Sequence, residues 1–147
     1  MKLFIRYISA EETLELRQNV LRPSKPQSSC IWKGDNSKST MHIGAFVDSK
    51  CIGILSLFEA NTDELSETKH YQLRGMAVDL EYRGKDIGKQ LVNFSEHELK
   101  TLGIQVLWCN ARISAKDFYS KLGFKVISKE FMIPNVGPHY RMFKSLT

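Results

Sequence analysis

The chain has 147 residues, 42% hydrophobic and 25% charged, and carries a net charge of +5. That length suits one compact domain over residues 1–147 with its own core, and the composition excludes a disordered polar chain. No apolar run reaches membrane-spanning length, and Met1-Lys2-Leu3-Phe4-Ile5-Arg6 is too short and too soon charged for a signal peptide.

Leu3 to Ile8 reads as a first strand. Ser9 with Glu12 three residues on forms a capping box opening a helix through Leu14, Leu16 and Val20, which Pro23 and Pro26 close. A loop rich in Ser, Lys, Gly and Asn runs to Thr40, long enough to suggest function. Its Trp32 is an apolar anchor or an exposed binding aromatic. Met41 to Val47 and Cys51 to Phe58 are strands joined in a hairpin by Asp48-Ser49-Lys50. Glu59 to Lys69 reads as a mobile surface connection. Tyr71 to Asp79 alternates as a strand, and Ile87, Leu91, Val92, Phe94, Leu99 and Leu102 mark a helix that Gly103 stops. Ile104 to Asn110 is the next strand, completing a right-handed parallel crossover. Ser114 and Asp117 cap a short helix over Phe118, Tyr119 and Leu122, closed by Gly123. Phe124 to Ser128 and Tyr140 to Leu146 are final strands, separated by a turn-rich loop at Ile133-Pro134-Asn135-Val136-Gly137-Pro138-His139.

The middle of this pattern carries a chemical signal. A strand feeds a helix through Arg83-Gly84-Lys85-Asp86-Ile87-Gly88, which presents unpaired backbone N–H groups at the positive end of a helix, a site for phosphate. It is not a nucleotide P-loop, because Gly84 and Gly88 enclose three residues rather than four and Gln90 follows Lys89. No dinucleotide fingerprint can be placed either. Met1 to Tyr82 hold 10 Lys/Arg against 11 Asp/Glu, Arg83 to Lys125 hold 8 against 4, and the remainder holds 3 against 1. The basic excess therefore begins at the anion site. Without a helix-turn-helix, zinc finger or RNP signature, it points to a small polyanion rather than to nucleic acid. The three cysteines, Cys30, Cys51 and Cys109, are odd in number and lack metal-ligand spacing, so free thiols, no metal and a cytoplasmic setting are expected.

The run from Arg83 to Gly88 resembles the acyl-CoA-binding motif of the GNAT superfamily of N-acetyltransferases, Gln/Arg-x-x-Gly-x-Gly/Ala. The run Asn110-Ala111-Arg112-Ile113-Ser114-Ala115-Lys116-Asp117-Phe118-Tyr119-Ser120-Lys121-Leu122-Gly123-Phe124 resembles its second signature, Asn-x-x-Ala-x-x-Phe-Tyr-x-x-x-Gly-Phe. One position departs: Asp86 stands where Gly is usual. The resemblance implies an α/β fold of α+β type, a mixed, mainly antiparallel sheet flanked by helices, with a splayed parallel strand pair holding the cofactor. It implies a single N-acetyltransferase domain moving an acetyl group from acetyl-CoA to a primary amine by direct attack in a ternary complex. Backbone N–H groups of Gly84, Lys85, Asp86, Ile87, Gly88 and Lys89 would hold the pyrophosphate, with charge from Arg83, Lys85 and Lys89. Met76, Ala77 and Val78 would take the pantetheine arm and the thioester oxyanion, and Asn110 and Phe118 would touch the arm.

By the same resemblance Tyr119 is the general acid toward the departing thiolate, set against a plain role as a core aromatic. Gln72 and Arg74 stand where relatives often carry a Glu, and neither is a base at neutral pH. They are expected to shape the acceptor pocket, where Arg74 suits a carboxylate. His139 is a catalytic proton acceptor, a pocket hydrogen-bond partner or a surface residue. A narrower likeness to small stand-alone bacterial members suggests that Arg22, Arg74, Arg112 and His139 converge on the acceptor. His42 reads as a hydrogen-bonded strand residue, His70 and His97 as exposed, and Glu59 as a solvated hairpin end or a base acting through water. Cys109 as a covalent carrier is the lesser route, because no sequence-near base activates it. The expected partner is a small-molecule or peptide amine, with no nucleic acid and no membrane, on a monomer or homodimer. A non-catalytic acyl-CoA-binding module and a basic nucleic-acid-binding protein are the rival readings.

Overall fold

The capping box forms as its spacing predicts. Ser9 Oγ accepts from the Glu12 N–H at 3.3 Å, and Glu12 Oε1 accepts from the Ser9 N–H at 2.9 Å. The computed structural model describes residues 2–147. The helix after the cap is not α throughout: a 3-10 turn at Glu11–Thr13 leads into α1 (Leu14–Leu16) and then a π turn at Arg17–Leu21. The Arg22 N–H closes that wide turn on the carbonyls of both Arg17 and Gln18.

The strands are β1 (Phe4–Ile8), β2 (Met41–Val47), β3 (Lys50–Glu59), β4 (His70–Val78), β5 (Val106–Arg112), β6 (Lys125–Val126), β7 (Phe131–Ile133) and β8 (Gly137–Ser145). The longer helices are α2 (Ile87–Thr101) and α3 (Lys116–Lys121). Sheet order is β1-β2-β3-β4-β5-β8-β6, with β7 on β8. β4 and β5 are the parallel pair in an otherwise mainly antiparallel sheet, so the expected fold class is the one found. The chain forms two compact units, Met1–Phe58 with Leu73–His97, and Glu59–Gln72 with Glu98–Thr147.

In the first unit, β1 and β3 flank β2 in antiparallel register. Asp48 and Ser49 both have positive φ, 49° and 70°, which makes a two-residue type I′ loop and moves Lys50 from the expected turn into β3. α2 buries Ile87, Leu91 and Val92, and a Cβ at Gly53 of β3 would come within 3.0–3.1 Å of Ile87 and Leu91. Leu102, counted into the helical stripe from the sequence, lies past the helix and is 56% exposed. Arg17 is fully buried. It donates to both oxygens of Asp35 at 2.8 and 3.1 Å, to the Cys30 carbonyl and to Ser56 Oγ.

In the second unit, β8 pairs with β5 over seven positions and also carries β6 and β7. The expected Ile133–His139 loop is instead a hairpin. Pro134–Val136 turns the chain, Asn135 takes φ 65°, and residues from Gly137 onward join β8. The strand expected from Phe124 to Ser128 shrinks to Lys125–Val126. The Glu59–Lys69 connection is tied down rather than mobile: Thr62 is buried, its N–H donates to His70 Nδ1, and Gln105 Oε1 accepts from the Lys69 N–H.

Burial alone raises the Asp35 carboxyl, but the Arg17 guanidinium and the Trp32 N–H hold it below its ordinary value. The stability this contributes is present above the unfolded carboxylate pKa of about 3.9 and is lost as pH falls through the lower folded value. Asp35→Ala leaves a buried guanidinium uncompensated. Urea unfolding at pH 7 is expected to show a loss of about 3–5 kcal/mol, and the variant's extra instability should shrink on acidification below about pH 4.

Candidate active site

The turn before α2 is built to leave donors unpaired. Gly84 has φ 77° and a Cβ there would meet nothing within 4 Å, so a ligand can approach the backbone closely. Asp86, the departure from the family motif, adopts φ 61°, a left-handed conformation that Asp tolerates better than most residues. Its carbonyl accepts the first helical bond, from the Gln90 N–H at 3.0 Å. The N–H groups of Ile87, Gly88 and Lys89 therefore precede the first helical donor, as at any helix start. Arg83, Lys85, Asp86 and Lys89 are exposed around them and Ile87 is buried below. An anion with several acceptor oxygens fits this arrangement.

On β4, Met76 and Val78 are partly buried and Ala77 is buried. Gly75 just before them has φ 65° inside a strand, the conformation of a Gly-type bulge that re-aims the residues that follow. A Cβ at Gly75 would lie 2.7 Å from the Trp32 ring. Trp32 is thus an anchor: Arg17 stacks on it at 3.7 Å and Arg74 at 4.9 Å from the ring centroid. Arg74 also lies 4.8 Å from the Phe58 ring. Burial lowers the Arg74 pKa, followed by repulsion from Arg17 and Arg22, with Asp35 opposing. Arg22 and Arg74 therefore share one electrostatic neighbourhood. Arg17 and Asp35, which order that neighbourhood, were missed. The pattern that hides them is an Arg on the apolar face of a short helix and an Asp inside a polar loop.

In the second unit, Gln72 is half-buried in β4. Arg112 pairs with His139 and Asn110 with Arg141 across β5 and β8. Arg141 Nε donates to Asn110 Oδ1 at 2.9 Å while its guanidinium stacks on Trp108 at 4.6 Å. Since Arg only donates, this bond fixes which end of the Asn110 amide is oxygen and leaves its NH₂ for another partner. Arg141 also reaches Thr62 and Glu64. His139 is not a surface residue. It is 3% exposed, its Nδ1 lies 2.7 Å from the Gly137 carbonyl, and its ring stacks on Phe131. A carbonyl only accepts, so Nδ1 holds the proton and Nε2 of the neutral ring is the basic nitrogen. Arg112 is exposed at the strand end.

α3 places Phe118 and Tyr119 edge to face at 5.1 Å, and Phe124 sits 5.3 Å from Tyr119. The expected Ser114 cap does not form: a 3-10 turn at Ile113–Ala115 precedes α3 and no side chain caps it. Gly123 does close the helix, with φ 96° and the Phe124 N–H donating back to Tyr119 at 3.1 Å. Burial raises the Tyr119 phenol well above its ordinary pKa, and Cys109 adds to the shift. Cys109 itself is pushed up to about 12 by burial, so no thiolate forms near neutrality. Cys109 alternates with Asn110 along β5, so Cys109 and His139, which lies on the Asn110 register, belong to opposite faces of these strands.

His42 is hydrogen-bonded in its strand to Ser56 and to the Asp35 carbonyl, and His97 and Glu59 are exposed. His70, expected to be exposed, is buried and accepts from the Thr62 N–H, because the connection before β4 folds over it. Among the described residues, no group of His, Cys, Asp or Glu is disposed to hold a metal, and no helix is long and apolar enough to cross a membrane.

The chain matches the acetyltransferase (GNAT) family over residues 6–124 and belongs to it. It is 39% identical over 144 residues to the uncharacterized N-acetyltransferase YitI of Bacillus subtilis (strain 168), covering 98% of this chain and 97% of that protein. Its fold is similar to Escherichia coli ElaA, with TM-score 0.77 and 15% identity over 97% and 99% of the two chains. It is similar also to an aminoglycoside 6'-N-acetyltransferase complexed with coenzyme A, with TM-score 0.78 and 15% identity over 98% and 97%.

Gly75→Ala combines a left-handed backbone with a collision against Trp32. We expect a loss of at least about 1–2 kcal/mol in thermal or urea unfolding and a shifted tryptophan emission. An unchanged emission spectrum and midpoint would remove Trp32 from its place against β4.

Proposed function

We propose that this protein transfers an acetyl group from acetyl-CoA to a primary amine by direct attack in a ternary complex, residues 1–147 working as one N-acetyltransferase domain. The observation that carries the reading is the turn at Arg83–Lys89, whose left-handed Gly84 and Asp86 and unpaired N–H groups suit a pyrophosphate. Acetyl-CoA would supply the acetyl group already activated as a thioester. Arg83, Lys85 and Lys89 would add charge around Gly84, Asp86, Ile87 and Gly88. Backbone groups of Met76 and Val78 would pair with the amide-bearing arm as an extra strand does, and the N–H near Ala77 or Val78 would face the developing oxyanion. The Asn110 NH₂ and the Phe118 ring would contact the same arm.

Tyr119 would hold its proton for the departing sulfur: a phenol titrates at about 10 and burial raises this one further, so it is protonated at neutral pH. His139 Nε2 would accept a proton from the amine, and Gln72, Arg22, Arg74 and Arg112 would line the acceptor site. The buried, protonated Cys109 supports direct attack over a covalent carrier. A cytoplasmic monomer or homodimer acting on a small molecule or peptide amine completes the proposal, with no nucleic acid or membrane partner.

Tyr119→Phe is expected to lower kcat about 10²- to 10⁴-fold while acetyl-CoA affinity by calorimetry stays within about twofold. Full kcat in that variant with accepted amines would overturn the acid assignment. Asp86→Gly removes a carboxylate beside the anion site and relaxes a left-handed position, so we expect acetyl-CoA to bind severalfold more tightly and the midpoint of unfolding to hold or rise.

A further inference from the structure

Arg74 is a half-buried cation with an aromatic floor and no anion. Its guanidinium carbon lies over the Trp32 and Phe58 rings, 4.9 and 4.8 Å from their centroids, so the aromatic contacts hold the cation without using its N–H donors. Among the described residues, no carboxylate pairs with Arg74 or Arg22, and neither side chain makes a hydrogen bond. Asp35 is the one carboxylate acting on Arg74, and it is fully engaged: Arg17 takes both its oxygens and the Trp32 N–H takes one of them again. Three guanidiniums, those of Arg17, Arg22 and Arg74, thus share one carboxylate committed to the first. Mutual repulsion and burial both destabilise the charge on Arg74, yet an arginine does not shed its proton at neutral pH. The missing element is an anion supplied from outside.

The geometry points to the carboxylate of the amine acceptor as that anion, held by Arg74 with Arg22 beside it, so that the acceptor is a free amino acid or short peptide. This rests on the acetyl-transfer reading above. A planar carboxylate matches the N–H fork of a guanidinium in a bidentate pair, and Arg74 has no hydrogen bond or ion pair of its own to compete for that fork. Arg74 precedes Met76 by two residues on β4, roughly 7 Å along a strand, a distance one small molecule carrying both a carboxylate and an amine can span. Polyamines and aminoglycosides are polycations and would meet two unbalanced guanidiniums, which selects against them.

The test uses the intact protein with acetyl-CoA, the standard L-amino acids, the same compounds as carboxamides, spermidine and kanamycin. At least one amino acid is expected to show kcat/KM about tenfold or more above its carboxamide. Arg74→Gln should lower kcat/KM for that amino acid about 10- to 100-fold more than for the carboxamide, chiefly through KM, and Arg74→Lys should restore part of the difference. Turnover of spermidine or kanamycin above every amino acid, or an equal loss on acid and amide, overturns the inference. If acetyl-CoA binds but no amine is turned over, calorimetry with the amino acids decides. Binding that Arg74→Gln abolishes upholds the carboxylate site although transfer has failed, and no binding of any amino acid overturns it.

Discussion

A guanidinium with no access to water must have a carboxylate, and the Arg17–Asp35 pair meets that need at the centre of the first unit. Its effect spreads through shared partners. Asp35 draws the Trp32 N–H, its carbonyl takes His42, and Ser56 Oγ joins both Arg17 and His42. The long loop after the first helix is thereby locked to β2 and β3, and Arg17 lies over the Trp32 ring. Replacing such a pair by apolar residues is often neutral, so its presence is weak evidence for stability as such. What it secures here is position. Trp32 lies where only a glycine fits on β4, and the left-handed φ of Gly75 is a second reason for glycine there.

The second unit uses an arginine differently. Arg141 is partly exposed and lies over Trp108 while bonding Asn110, Thr62 and Glu64. Surface ion pairs of this kind contribute little singly, but Arg141 joins the connection before β4 to β5 and β8 by several directed bonds at once. Those bonds orient the Asn110 amide, and the neighbouring hairpin brings the Gly137 carbonyl to His139 and so fixes its tautomer. The side chains proposed for chemistry here, Asn110 and His139, are thus held by Arg141 and by a backbone carbonyl.

The elements that were legible in the sequence are those with local causes. The capping box, the stripe Ile87, Leu91 and Val92, and the stops at Gly103 and Gly123 each act within a few residues, and each forms. Errors fall where distant contacts decide. Ile133–His139 reads as a loop because Pro134, Gly137 and Pro138 crowd it, yet Gly137 and Pro138 pair with β7, and β5 takes up β8 from His139 onward over seven positions. His70 looks solvent-facing until the connection before β4 closes over it. For the site, glycine and Tyr119 spacings were readable through the family motifs, whereas Arg17, Asp35 and Arg141 had no motif to announce them.

Asp86 shows how a departure from a motif can leave the turn intact. The position needs a left-handed residue whose carbonyl starts a helix, and glycine is the least strained answer. Asp adopts φ 61° at modest cost and still accepts from Gln90. What changes is charge: Arg83, Lys85 and Lys89 surround this one acid, so the turn keeps an excess of two positive charges. The carboxylate is exposed, and water and salt screen its repulsion toward a bound pyrophosphate. Interactions between exposed charges of this kind amount to about 1 kcal/mol or less, against several N–H donors aligned with the helix. In the proposed cofactor reading, Asp86 would therefore tune affinity at a site whose shape is set by the backbone.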